Sequence, residues 1–228
     1  MPRKLPFLGL VILITAVCAC AGSIIDRIVA TVNGHIILQS DWDEAVSYEW
    51  FVNGRPLNQL TLQDRKATLD RLIDQELIRQ QVRPADFQHA SVTDINRRVE
   101  EIRKQHPEAA DDLTWKAALQ LYGLSENELR DKVAAELEQM RMVDAHLRPS
   151  VQVDPPSVEA YYREKLLPEL RASGAKEVAL MEVAPKIKEL LAQQKMNDLL
   201  ITWLRSLRAE SSIHTAFESS TTGGGGFE

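Results

Sequence analysis

Cysteine is nearly absent from this chain. The 228 residues include two cysteines, Cys18 and Cys20, and both lie within the first 21 residues. The rest of the sequence therefore has no thiol that could form a disulfide, bind a metal or act as a nucleophile. A chain without cross-links depends on its hydrophobic core, and about 200 residues are enough to build one.

Histidine is also scarce, and its positions do not form a recognisable site. Five histidines are scattered along the sequence, and none occurs in a paired-ligand spacing such as HExxH: His35, His89, His106, His146 and His214. The sequence has no Gly-x-Ser-x-Gly elbow, and its run of four glycines is not followed by a helix that could hold a phosphate. We therefore predict no catalytic residues, no metal site and no cofactor, and thus a protein that is not an enzyme.

Positive charge is in deficit. The chain has 27 Lys and Arg against 33 Asp and Glu, a formal net charge of −6. Two of the basic residues, Arg3 and Lys4, belong to the first 21 residues, which contain no acidic residue, so the remainder carries a net charge of −8. Such a surface repels backbone phosphates, and we expect no binding to nucleic acid.

A long apolar run occurs at the N-terminus alone. Arg3 and Lys4 precede about ten apolar residues, Leu8 to Val17, a stretch too short to span a bilayer as a helix. Ala19-Cys20-Ala21 offers a small-x-small cleavage site, which predicts that residues 1–21 are a secretory signal peptide. Val17-Cys18-Ala19-Cys20 also resembles a lipobox, so the alternative is a lipoprotein anchored through Cys20. The mass of the mature N-terminus distinguishes the two.

The sequence after this segment predicts a β-hairpin followed by a helix. Ile28 to Asn33 alternates with a period of two, and Asn33-Gly34 tolerates the positive φ angles of a type I′ turn. His35 to Leu38 then forms the returning strand. Ser40 or Asp41 is predicted to cap a helix that starts near Trp42.

Helical patterns dominate the rest of the chain. Apolar spacing and capping residues predict helices over 42–51, 61–81, 93–105, 114–122, 126–147, 154–166 and 185–207. A short strand is expected between Ser211 and Phe217. The Ser/Thr/Gly-rich residues 218–228 have too little apolar content to pack, and we predict a disordered tail.

Four segments together resemble the SurA-like chaperones of the bacterial periplasm. The hairpin sequence Asp-Arg-Ile-Val-Ala-x-Val-Asn-x-x-x-Ile-Leu-x-Ser-Asp carries most of the likeness. Further segments match in the same order, namely Leu119 to Arg130, Val153 to Tyr162, and Ile187 to Lys195 followed by Trp203 to Leu207 and Ile213. The likeness covers most of residues 24–217.

The resemblance implies a mainly α fold with a discontinuous core. Such a core combines an N-terminal β-hairpin with six to seven helices, and its C-terminal helix and short strand pack back onto the N-terminal part. We therefore expect a chaperone region over 22–170, a short connection over 171–184 and a completing helix and strand over 185–217. A parvulin isomerase module normally stands at that connection, and the interval from Leu167 to Ala184 is too short to hold one.

Aromatic and methionine side chains are the candidates for contact with clients, because they offer large, adaptable apolar area. Tyr48, Trp50 and Phe51 fan around one short helix and cannot all lie on a single buried stripe. The alternative is that these side chains fill the core. The candidate set is Tyr48, Trp50, Phe51, Trp115, Tyr122, Met140, Met142, Tyr161 and Tyr162.

The function implied by the resemblance is that of an ATP-independent periplasmic holdase. Its partners would be unfolded polypeptides, above all outer-membrane proteins, with no transmembrane segment in the chaperone itself. Two alternatives remain at this point: a dedicated interaction or assembly subunit, anchored through Cys20 or free, and a residual prolyl isomerase. The returning last helix also admits a homodimer in which that helix is exchanged.

Overall fold

The N-terminal hairpin forms as its sequence predicts. The computed structural model describes residues 26–81 and 89–216, so the predicted signal peptide and tail lie outside the described residues. Strand β1 (Ile28–Val32) pairs antiparallel with β2 (His35–Leu38). Asn33 and Gly34 adopt φ angles of 52° and 85°, the left-handed geometry that a two-residue hairpin turn requires.

A third strand from the C-terminal end completes the sheet. Strand β3 (Ile213–Thr215) pairs antiparallel with β1, which gives the strand order β2-β1-β3. The Asn33 side chain fixes this junction, because its Oδ1 accepts a hydrogen bond of 2.8 Å from the Ser212 backbone N–H. The expectation that the end of the chain packs back onto its beginning is confirmed.

Helices make up most of the remaining described structure, which confirms the mainly α fold. Their bounds are α1 Gln39–Val52, α2 Leu62–Gln81, α3 Val92–Arg103, α4 Asp112–Leu121, α5 Glu126–Leu147, α6 Pro155–Tyr161, α7 Leu167–Ala172 and α8 Leu180–Glu210. A π-helical stretch, Tyr162–Leu166, joins α6 to α7 without a break. Counted as one helix, they bring the described total to seven, within the predicted six to seven.

The start of α4 differs from the prediction. The helix begins at Asp112 and Thr114 is not its N-cap, because the Asp111 side chain accepts hydrogen bonds of 2.9 Å from the backbone N–H groups of Leu113 and Thr114.

Two further helix starts differ from the prediction. Helix α1 begins at Gln39, and neither Ser40 nor Asp41 is its N-cap. Asp41 instead accepts a hydrogen bond of 2.9 Å from the Leu38 backbone N–H, and Ser40 donates its hydroxyl to Asp26. Helix α8 begins at Leu180 rather than Pro185, so Pro185 lies inside the helix, where its nitrogen cannot donate the usual hydrogen bond to the Met181 carbonyl.

Most of the buried hydrophobic side chains belong to two clusters. The first lies between the sheet, α1, α2 and the end of α8, and it consists of Val29, Ala30, Val32, Ile37, Trp42, Val46, Leu69, Ile73, Leu77 and Leu207. The second joins α1 to α3, α4 and α5, and it consists of Phe51, Val99, Ile102, Ala109, Trp115, Leu119, Leu124, Leu129 and Val133. We call these the sheet core and the helical core. Helix α1 contributes to both.

Candidate functional site

A cleft opens between α5 on one side and β2, α1 and α2 on the other. It consists of two adjoining cavities of about 420 and 960 Å³. Five residues line both cavities, so the two cavities lie side by side: Asp41, Leu72, Gln75, Ala135 and Gln139. We call the two cavities together the α5 cleft.

The wall of the α5 cleft that α5 provides runs from Lys132 to Met142. At 1.5 Å per residue, those two positions are about 15 Å apart along the helix axis. An extended chain rises about 3.3 Å per residue, so the cleft accommodates roughly four to five residues of extended polypeptide. Its dimensions therefore suit a short peptide segment.

The apolar part of the lining comes from both walls. Ile37 and Leu72 contribute from the sheet and α2, while Ala135 and Met142 contribute from α5. Tyr48 adds an aromatic ring in the larger cavity. This surface is small and discontinuous, which favours weak contact with many apolar side chains over tight binding of one ligand.

The lysine and arginine side chains that line the cleft are all paired with carboxylates. Each lining Arg or Lys forms an ion pair with a carboxylate: Arg55–Asp64 at 3.6 Å, Arg71–Glu49, Arg79–Glu76 at 2.7 Å, Arg98–Glu136 at 3.5 Å and Lys132–Glu44 at 3.1 Å. Asp41 lines both cavities without a cationic partner in the described structure, so the unbalanced charge of the lining is negative. A partner without strong negative charge fits the cleft best.

Glu76 is a buried carboxylate on the α2 wall. Its side chain is 8% exposed and accepts hydrogen bonds from Arg79 at 2.7 and 2.8 Å and from Gln80 at 2.6 Å. Burial acts to raise the pKa of Glu76, but these hydrogen bonds outweigh burial and lower the pKa below its usual 4.5. Protonated His35, with its Nε2 at 3.7 Å, lowers this pKa further.

This lowered pKa predicts a loss of stability in acid. The Glu76 carboxylate stabilises the folded state above pH 4.5, and that contribution disappears as the pH falls through the lower pKa of the folded state. We expect the Glu76→Gln variant to show a shallower decline in the free energy of unfolding between about pH 5 and pH 2. Urea titrations at several pH values measure this. Parallel declines for variant and wild type would contradict it.

Tyr48 links the floor of the cleft to α5. Its hydroxyl donates a hydrogen bond of 2.6 Å to Glu136, which also pairs with Arg98. Burial raises the pKa of the Tyr48 hydroxyl far above its usual value, and the Glu136 carboxylate raises it further. The phenol thus remains a hydrogen-bond donor, and its bond to Glu136 fixes the position of α5 relative to α1.

Three of the candidate aromatic side chains lie in or beside the helical core. Trp50, Phe51 and Trp115 are 2%, 0% and 2% exposed. Phe51 stacks on His106 with ring centroids 4.2 Å apart and contacts Trp115 at 5.4 Å. Phe51 and Trp115 belong to the helical core, and Trp50 contributes almost no surface to the cleft, so we leave all three out of the client-binding surface proposed below.

The remaining candidates are divided among several places. Tyr48 and Met142 line the α5 cleft, whereas Met140 points out of it and is 57% exposed. The Tyr122 hydroxyl donates to the Arg55 carbonyl at 2.8 Å, at the edge of the helical core. Tyr161 and Tyr162 stand on the α6–α7 helix, outside the lining of the cleft, and the Tyr162 hydroxyl donates to the Val178 carbonyl at 2.7 Å.

Several cleft residues are absent from the candidates chosen by side-chain type. Ile36 and Ile37 line the cleft from strand β2, and Leu72, Gln75 and Ala135 line it from α2 and α5. Exposure of Ile36, at 47%, is the feature that distinguishes it from a core residue. The alternating pattern of the hairpin places Ile36 and Ile37 on opposite faces of the sheet. This alternation was the signal in the sequence that one of the two isoleucines lies outside the core.

Within residues 26–81 and 89–216, no three His, Cys, Asp or Glu side chains are grouped closely enough to hold a metal ion. Across the same ranges, no helix has both the length and the apolar character needed to cross a bilayer.

Comparison with known proteins gives one family. No curated protein matches the chain. The family described as the SurA-like N-terminal domain matches residues 5–143, which is more than half of the chain, and no parvulin module accompanies the match. The matched range includes the hairpin and helices α1 to α4, together with most of α5, and it contains all of the residues that line the α5 cleft. This family suggests a chaperone-like role in the periplasm and binding of polypeptides. The chain belongs to the family of SurA-like N-terminal domains.

Proposed function

We propose that this protein is an ATP-independent periplasmic holdase that binds unfolded segments of exported proteins in the α5 cleft. The cleft itself is the observation that carries the proposal. It is open and sized for an extended peptide, and it lies within a domain of a chaperone-type family.

Weak, reversible binding follows from the composition of the cleft. A few apolar side chains bury little area, and burial contributes only about 25 cal/mol per Å². A client with many apolar segments is then held by repeated short contacts, and it leaves when its own folding buries those segments. Such a cycle needs no nucleotide.

Outer-membrane β-barrel proteins are the clients we propose. Their strands alternate apolar and polar residues, and the outward side chains of the finished barrel are apolar. Before insertion, these side chains would associate with one another in water. The paired charges of the cleft suit such segments, because an uncharged strand does not have to break any ion pair to enter.

Suppression of aggregation tests the holdase proposal. We expect residues 22–228 at near-stoichiometric ratio to reduce light scattering when a urea-unfolded outer-membrane barrel protein is diluted. The Ala135→Arg variant places a cation in the cleft at an exposed position of α5, and we expect it to require about five- to tenfold more chaperone for the same suppression.

Met140→Arg is the matched control, since Met140 lies on the same helix, is 57% exposed and is outside the cleft lining. Equal activity of the two variants would exclude the α5 cleft as the client site. If the folded wild type does not suppress scattering at all, the general holdase proposal fails, and a dedicated assembly subunit with one partner becomes the better hypothesis.

A further inference from the structure

Strand β2 has an open edge that faces the α5 cleft. The strand order β2-β1-β3 leaves β2 with a partner on one side, and the residues of β2 line the smaller cavity together with α2 and α5. An open strand edge offers unpaired backbone donors and acceptors, which is the usual basis for adding another strand.

The direction of the backbone groups follows from the hydrogen bonds on either side. Asn33 N–H donates to the Ser212 carbonyl at 2.8 Å, and the Val29 carbonyl accepts from Ala216 N–H at 2.9 Å, so the odd-numbered residues of β1 bond to the β3 side. The even-numbered residues of β1 therefore bond to β2, through Val32 opposite His35 and Ala30 opposite Ile37.

Ile36 consequently directs both of its backbone groups away from β1. Gln39 confirms the alternation at the end of the strand, because its N–H donates to the Arg27 carbonyl at 2.7 Å, on the same side as His35 and Ile37. Within the described residues, neither the N–H nor the C=O of Ile36 has a hydrogen-bond partner. They form one free donor–acceptor pair on the edge of the cleft.

Asp41 occupies the next position along this edge. Its carboxylate accepts the outward Leu38 N–H at 2.9 Å, and no cation of the described structure pairs with it. Asp41 lines both cavities, and its carboxylate has further lone pairs beyond the one that accepts the Leu38 N–H. It provides a second acceptor for a backbone N–H of a bound segment.

We infer that an extended client segment binds by adding to the open edge of β2 as a fourth strand. One client residue exchanges two backbone hydrogen bonds with Ile36, and alternate client side chains enter the α5 cleft while the others face solvent. The site therefore takes amphipathic strands of roughly four to five residues without acidic side chains, because the cleft has that length and its unpaired Asp41 carboxylate repels negative charge. This inference rests on the proposed function and specifies its mode of recognition.

Peptide binding with backbone modification tests this. The probe is a fluorescent peptide of about six residues, a usual strand length, in which Val and Tyr alternate with Thr and Ser. Moving an N-methyl group along the peptide removes one N–H at a time. We expect methylation at one position to raise the Kd about tenfold, as loss of a hydrogen bond predicts, and methylation at the neighbouring positions to have a smaller effect.

Hydrogen exchange of the Ile36 amide gives the second readout. Saturating peptide should slow exchange at Ile36 at least tenfold, because a free N–H becomes bonded. The amides of His35 and Ile37 are the internal controls, since they already face β1. Their exchange should change much less.

The outcomes separate this inference from the proposed function. If Ala135→Arg abolishes peptide binding while N-methylation has no effect and Ile36 exchange is unchanged, the cleft binds clients without strand addition, and the inference is overturned. If neither the Ala135→Arg substitution nor N-methylation of the peptide alters binding, both the cleft and the strand-addition proposals fail. Protection of Ile36 that needs no peptide and grows with protein concentration would show that a second copy occupies the edge, which would also overturn the inference.

Discussion

Replacing Phe51 with alanine is expected to lower the free energy of unfolding by about 3–5 kcal/mol. Phe51 has no exposed surface and stands at the centre of the helical core, where its ring contacts His106, Trp115 and Tyr122. The substitution removes most of a buried aromatic side chain and leaves a cavity that its neighbours cannot fill completely. Urea unfolding followed by far-ultraviolet circular dichroism measures the change.

Leu121→Ala is the control for this prediction. Leu121 lies on α4, close in sequence to the same core, but its side chain is 77% exposed. We expect an effect within about 0.5 kcal/mol, as for other surface substitutions. A comparable loss in the two variants would mean that Phe51 does not occupy the core position described here.

Replacing Leu207 with aspartate is expected to destabilise the fold by at least about 4 kcal/mol, because it places an unpaired charge in an apolar environment. Leu207 is 7% exposed and packs in the sheet core near the end of α8. The neighbouring Arg208 already pairs with Asp74 at 2.6 Å, so it would have to leave that ion pair to neutralise the new carboxylate. Tryptophan fluorescence during thermal melting measures the effect. We expect the variant to lose the cooperative fluorescence transition, because the sheet core that Leu207 shares with the N-terminal hairpin is then unfolded.

Ile201→Asp provides the matched comparison on the same helix. Ile201 is 55% exposed, and an aspartate there remains hydrated. We expect it to change stability by no more than about 0.5 kcal/mol. A folded, wild-type-like Leu207→Asp protein would contradict the discontinuous core, because the return of α8 to the hairpin would then contribute little to stability.

Local sequence signals predicted most of the secondary structure. Asn33-Gly34 specifies the hairpin turn, and Ser125 and Glu128 form the predicted capping box of α5 with hydrogen bonds of 3.2 and 2.7 Å. The prediction for the start of α1 was wrong because Asp41 lies inside the helix and its side chain accepts the backbone N–H of Leu38, which precedes the helix. The sequence alone does not distinguish this arrangement from one in which Asp41 is itself the N-cap. The pairing of β3 with β1 came from the family resemblance and not from any local pattern.

The candidate site was harder to predict from the sequence. Selection by residue type favours aromatic side chains as client-binding candidates, but Phe51 and Trp115 are buried in the helical core. Ala135 and Gln75 have no distinguishing chemistry, and they line the cleft because of how α5 lies against α2. That relation depends on tertiary packing, which apolar periodicity along a single helix does not encode. The open backbone edge at Ile36 depends in turn on strand order.

The pairing of β3 with β1 also bears on when this protein is able to fold. Asn33 and Ser212 are 179 positions apart in the chain and are joined by a hydrogen bond in the finished sheet. Contacts this distant in sequence close a very large loop and form late. In a chain that is delivered from its N-terminus, as during synthesis, the hairpin therefore appears long before its partner strand. The sheet core stays incomplete until almost the whole polypeptide is available, so we expect this part of the fold to form only after synthesis is nearly complete.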